Sequence, residues 1–284
     1  MSNATLAWSL AFMISMAVLM SSYFNTITFP NEAIGQKQEN STSVLTNNNN
    51  TTITKTNTPA NNNLINEGIS LLILGKYNEA LNLFDRVLAV DPSDVKTLTN
   101  KGNVLDTLGK HQEAIQYYDK ALAIEPNDVI ALEDKGSALD LLGKYNESII
   151  YYDKALAIDP GNVDVLYNKG VTLGKLGDYI QAIQYYDRAL AIKPNYTEAL
   201  IGKGFALHQL GSNNQAIIYY DKALAIDPTN VDTLTNKGVA LAALHEYNEA
   251  IKYYDKALAI KPNLQDTIND KRLSLEALIQ TQIK

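Results

Sequence analysis

Three histidines, a set of repeated tyrosines and scattered carboxylates are the groups in this chain that could move protons or hold a metal. His111, His208 and His245 stand far apart and show no ligand spacing such as His-Glu-x-x-His. Cysteine is absent, which excludes thiolate metal sites and a disulfide frame. No phosphate-binding loop, Ser-x-x-Lys or Gly-x-Ser-x-Gly motif occurs. Adjacent charges such as Asp119-Lys120 read as a solvated helix face, and the tyrosines recur too regularly to be anything but framework. No catalytic residue, metal or cofactor is expected, and the chain is not read as an enzyme.

The regularity itself is the informative feature. The block Tyr-Tyr-Asp-Lys-Ala-Leu-Ala-Ile starts at Tyr117, Tyr151, Tyr219 and Tyr253, and at Tyr185 with Arg188 for the lysine, a period of 34 residues. A diverged copy runs from Leu83 to Val90. Such a period means stacked supersecondary units that offer a long surface rather than an enclosed pocket. In the unit 95–128, Leu98, Leu105 and Leu108 with Gly102 mark the inner stripe of a first helix, which Gly109 stops. A second helix buries Ala114, Ile115, Tyr118, Ala121, Leu122 and Ile124 and ends before Pro126. Asp128 is placed to cap the next first helix, and Asn78, Asn146 and Asn248 are read as opening second helices.

This pattern resembles the tetratricopeptide repeat (TPR) family. The small residue of the first helix stands at Gly68, Gly102, Gly136, Gly170, Gly204 and Gly238. Facing it are Ala80, Ala114, Ser148, Ala182, Ala216 and Ala250. The aromatic is Phe84, Tyr118, Tyr152, Tyr186, Tyr220 or Tyr254, and prolines close the units at 92, 126, 160, 194, 228 and 262. Lys101 and Lys135 depart from the family by standing where it often has an apolar residue. The resemblance implies an all-α, right-handed α-solenoid of six helix–turn–helix repeats: 61–94, 95–128, 129–162, 163–196, 197–230 and 231–264. Residues 265–284 read as a capping helix, in which Arg272 takes the glycine's place.

In that family the first helices line a concave binding face. Carried onto this chain, the face draws Ile65, Ile69 and Leu72, then Thr99, Asn103 and Asp106, then Glu133, Ser137 and Asp140. Later units add Tyr167 and Val171, then Ile201, Phe205 and His208, then Thr235 and Val239. These positions differ from unit to unit while the second helices are near copies, as a groove requires. Apolar anchors beside acids point to a protein or peptide partner with apolar and basic residues. Chaperone-binding TPR proteins clamp a peptide carboxylate with cations; the matching Ile65, Ile69, Asn100, Ile130 and Asp134 supply none, so carboxylate capture is not expected. The first helix of the first unit is apolar nearly all round, which suggests self-association or membrane contact.

Ahead of the repeats, Leu6 to Met20 is apolar but for Ser9 and Ser15, so 1–24 reads as a signal anchor or as a cleaved signal peptide. The Asn/Thr-rich stretch 25–60 has too few large apolar groups to order itself and reads as a disordered tether. Tether composition suggests an array held outside the cytoplasm, or one secreted after cleavage. The first 61 residues hold two acids and two lysines, so the net charge of −7 falls on the repeats and nucleic acid is not an expected partner. The expected function is a non-catalytic protein-interaction scaffold. The alternatives are a self-assembling structural component or an accessory subunit of an extracytoplasmic enzyme complex.

Overall fold

A computed structural model describes residues 59–283, which form thirteen α-helices and, among the described residues, no strand. The apolar segment 1–24 and nearly all of the expected tether lie outside the described residues. The helices come in hairpins. These are α1 (Pro59–Ile73) with α2 (Tyr77–Val90), α3 (Val95–Thr107) with α4 (His111–Ile124), and α5 (Val129–Leu141) with α6 (Tyr145–Ile158). Next come α7 (Val163–Lys175) with α8 (Tyr179–Ile192), α9 (Thr197–Gln209) with α10 (Asn213–Ile226), and α11 (Val231–Ala243) with α12 (Tyr247–Ile260). A lone α13 (Gln265–Ile283) ends the array.

Local chemistry sets each boundary. Asp94, Asp128 and Asn230 accept the backbone N–H three residues on at 2.7–2.8 Å, and Asn162 does so at 3.0 Å. Each bond satisfies a donor that a helix start otherwise leaves without a partner. First helices end where Gly75, Gly109, Gly143, Gly177 and Gly211 adopt φ between 72° and 83°. The Gly109 amide then bonds the Asp106 carbonyl and the Lys110 amide bonds that of Leu105, closing the helix. At the sixth bend His245 takes φ 63°, a region that costs a residue with a side chain about 1–2 kcal/mol. Its Nδ1 lies 2.7 Å from the Tyr247 hydroxyl.

Three local expectations need correction. Asn78, Asn146 and Asn248 are second residues of their helices, which begin at the preceding tyrosines; the cap residues Lys76, Lys144 and Glu246 make no side-chain cap bond. Asp178 is the second-helix cap that does bond, to Gln181 N. Leu108 and Ile124 are exposed, because each stands at the end of its helix, past the contact with the facing one.

Between the helices of a hairpin the fit is close. A Cβ added at Gly102 would come within 2.4 Å of the Tyr118 ring, and one at Gly68 within 2.5 Å of the Phe84 ring. The ring therefore packs directly on backbone, burying apolar area worth about 1.5–3 kcal/mol per ring. Every second helix also packs on the following first helix, and successive first helices touch one another, whereas no two second helices do. The first helices thus crowd the shorter, inner side of the stack.

A charged ladder runs through the joints. Lys135, Lys169, Lys203 and Lys237 are buried on first helices. They pair with Asp119, Asp153, Asp187 and Asp221 of the preceding second helix. Each ammonium also donates at 2.7 Å to a tyrosine hydroxyl of its own second helix: Tyr151, Tyr185, Tyr219 and Tyr253. Those rings lie 4.1–4.3 Å from the nitrogen. Burial pulls the Lys203 ammonium down, but Asp187 and Tyr219 together hold it above the ordinary lysine value, so it stays charged. Lys203→Met, which keeps an apolar stem of similar length, is expected to cost less than about 1 kcal/mol. Asp187→Ala leaves the buried cation with only tyrosine and is expected to cost about 1–2 kcal/mol. Urea unfolding distinguishes the two; equal losses would mean that packing alone secures the joint.

Candidate binding groove

The inner face is built by α1, α3, α5, α7, α9 and α11, and the expected ligand positions on it fall into three groups. Some serve the array itself. Ile65 is buried. Thr99 is buried and donates to the Val95 carbonyl at 3.0 Å. Thr235 lies 3.1 Å from the Thr267 hydroxyl of α13, within the stack. Asp140 is buried too: it accepts from Thr172 at 2.7 Å and forms an ion pair with Lys175 of the next repeat. Asp140 is therefore corrected from a ligand-facing acid to a tie between repeats, and Asp140→Lys would damage the stack rather than leave it intact.

A second group is half-buried and polar. Asn103 accepts from the Tyr118 hydroxyl at 2.7 Å, and Ser137 lies 3.1 Å from that of Tyr152. Asp106 is 2.6 Å from His111 Nδ1, so this turn histidine orients a groove carboxylate. Burial raises the Asp106 carboxyl although His111 pulls it back. Glu133 accepts from Asn168 at 3.4 Å, and His208 Nδ1 is 2.6 Å from Asn213.

The third group is apolar. Ile69 and Leu72 on α1 are half-buried, as are Tyr167 and Val171 on α7, Ile201 and Phe205 on α9, and Val239 on α11. Helices α7 and α9 touch. Tyr167 packs on Tyr196 with ring centres 5.3 Å apart and planes tilted by 52°, and Phe205 meets Tyr179 edge-on at 6.4 Å. Tyr196 occupies the place where four other first helices carry Asp or Asn, and it makes no side-chain cap. That start gives up a cap for an aromatic wall behind Tyr167.

Asp134 is a groove residue that sequence reading passed over except as a missing cation. Its Oδ2 is shut off from solvent and has no hydrogen-bond partner. Burial first, and the Glu133 carboxylate second, push its carboxyl up to about 8, against the pull of Asn103. Asp134 is thus protonated at neutral pH. Because the folded value lies above the unfolded one, its contribution is full below about pH 4 and is lost as pH climbs toward 8. Stability should fall over that window by up to about 1.4 kcal/mol per pH unit from this group. Asp134→Asn should flatten the fall in thermal denaturation series at pH 5, 7 and 9; an unchanged slope would assign it elsewhere.

Stacked helical hairpins whose first helices line an accessible inner face define an all-α repeat solenoid. The tetratricopeptide repeat pattern matches residues 95–128, 163–196 and 231–264, and a related TPR repeat pattern matches 136–177 and 204–245. The chain belongs to the tetratricopeptide repeat family. No curated protein matches it. Among solved structures it is similar to YrrB, described as a TPR protein with an unusual peptide-binding site: 27% identity over 66% of this chain and 97% of that one, TM-score 0.56. PilW, described as a type IV pilus biogenesis factor, shares 22% identity over 75% of this chain and 98% of its own, TM-score 0.70. MamA 41-end from Desulfovibrio magneticus RS-1 shares 23% over 60% and 97%, TM-score 0.56. The last two likenesses are of fold alone. Among the described residues no helix is long and apolar enough to cross a membrane, and no group of three or more His, Asp or Glu could hold a metal.

Proposed function

We propose that the array is a non-catalytic scaffold that binds a peptide or helix of another protein along its inner face. The observation that carries this is the group of apolar side chains Val171, Ile201 and Phe205, with Tyr167 beside them, all only partly buried on two touching first helices. Aromatic and branched side chains left facing a groove are the anchors that buried interfaces are built on. Family membership supports the reading, as does the peptide-binding site described for YrrB. Glu133 and Asp106, toward the preceding repeats, suit basic residues on the same partner. Phe205→Ala and Ile201→Ala are each expected to weaken capture of partner proteins about tenfold or more, with helical content unchanged. Capture that both variants leave untouched would reject this face as the binding site.

The scaffold is further proposed to be tethered to a membrane by the apolar stretch from Leu6 to Met20, with the repeats outside the cytoplasm. Support comes from the length of that stretch and the Asn/Thr-rich sequence after it. Protease added to intact cells is expected to remove the repeats; repeats that survive uncut would place them inside.

A further inference from the structure

The helix α13 at the end of the array keeps an apolar face that no second helix among the described residues covers. In every other repeat the first helix covers one face with its own second helix, so Leu98 and Leu105 of α3 are 2% and 5% exposed. The equivalent residues of α13 are Ile268 and Leu275, at 37% and 40%, and Ile279 one turn on is at 55%. The opposite face of α13 is packed normally, with Thr267 and Ser274 buried. A solvating end would carry polar groups at 268, 275 and 279, so these side chains are open to a cover that no other described residue supplies.

The cover is not another second helix of the same kind. Arg272 stands where each repeat has its glycine, and even a Cβ at Gly238 would lie 2.5 Å from the Tyr254 ring. A helix set further out can pass the arginine by offering that guanidinium a carboxylate. Glu276 on α13 itself does so: Arg272 and Glu276 lie one turn apart on the same flank of the apolar strip, both more than half exposed. We propose that α13 pairs with α13 of a second copy of this chain, antiparallel, about a two-fold axis at the level of Ser274. Such an axis sets each residue against one equally far beyond it, so Arg272 of each copy meets Glu276 of the other, and Ile268 falls one residue, about 1.5 Å, from the level of Ile279. The contact is self-complementary, as a closed two-fold interface must be, and it ends at two copies instead of growing into a fibre.

The test uses the full chain. Sedimentation velocity should show a concentration-dependent dimer. Arg272→Glu and Glu276→Arg should each weaken it about tenfold, and the double reversal should restore it. Because the chain has no cysteine, Leu275→Cys introduces a single thiol near the axis and should give a disulfide-linked dimer on oxidation, whereas Ile180→Cys, exposed on α8, should not. A monomer at every concentration overturns the proposal. So does a dimer that the charge reversals leave intact, since it would be held through another surface such as the first repeat.

Discussion

In each hairpin an aromatic ring lies against the backbone of the opposite helix, at a distance that admits hydrogen and nothing larger on the facing Cα. That contact fixes how near the two helices stand and which faces are left over for neighbours. The leftover faces are apolar and too large for one hairpin to hide, so each repeat is completed by the next. Because first helices touch along one side while second helices stay apart, the same constraint also produces the inner face on which a partner would lie.

The fold was legible because the residues that set it are of types no other role requires. A glycine every 34 residues facing an alanine or serine, a proline after each second helix, and Asp or Asn before four of the next first helices name the hairpin and its ends. What escaped notice was how Lys135, Lys169, Lys203 and Lys237 are paired where they lie buried. Lys135 was legible as standing where the family often has an apolar residue, but the aspartates that pair with these lysines lie 16 residues earlier, in the preceding repeat. The signal was present, since aspartate, lysine and tyrosine recur together at intervals of 16. It cannot be seen within any single helix.

The groove was less legible than the fold for a related reason. Register alone assigns a position to the inner face, but neighbouring first helices meet on that face too. Thr235 and Asp140 sit at such meetings, their polar atoms occupied by the next first helix, while the Thr99 hydroxyl is taken up by the Val95 carbonyl of its own helix. Phe205 and Ile201 are clear of those contacts and keep part of their surface. The repeats also differ in character along the stack, polar around Asn103, Asp106 and Ser137, then aromatic around Tyr167 and Phe205. A partner that matched both stretches could engage in one direction only.

One bend remains unlike the others. Five turns between paired helices are made by glycine, and the sixth forces an imidazole into the same mirror-image backbone shape. Beside it a cleft of about 490 Å³ separates His245–Glu249 from Leu278 and Thr281, where α13 runs on past the point at which other first helices stop. Cohesion in such a stack is handed from neighbour to neighbour, so the segment with a distorted bend and one-sided support is the first to peel away. Unravelling of a free molecule should therefore begin at the carboxyl end, leaving the middle grooves shaped for their ligand long after the terminal helix has frayed.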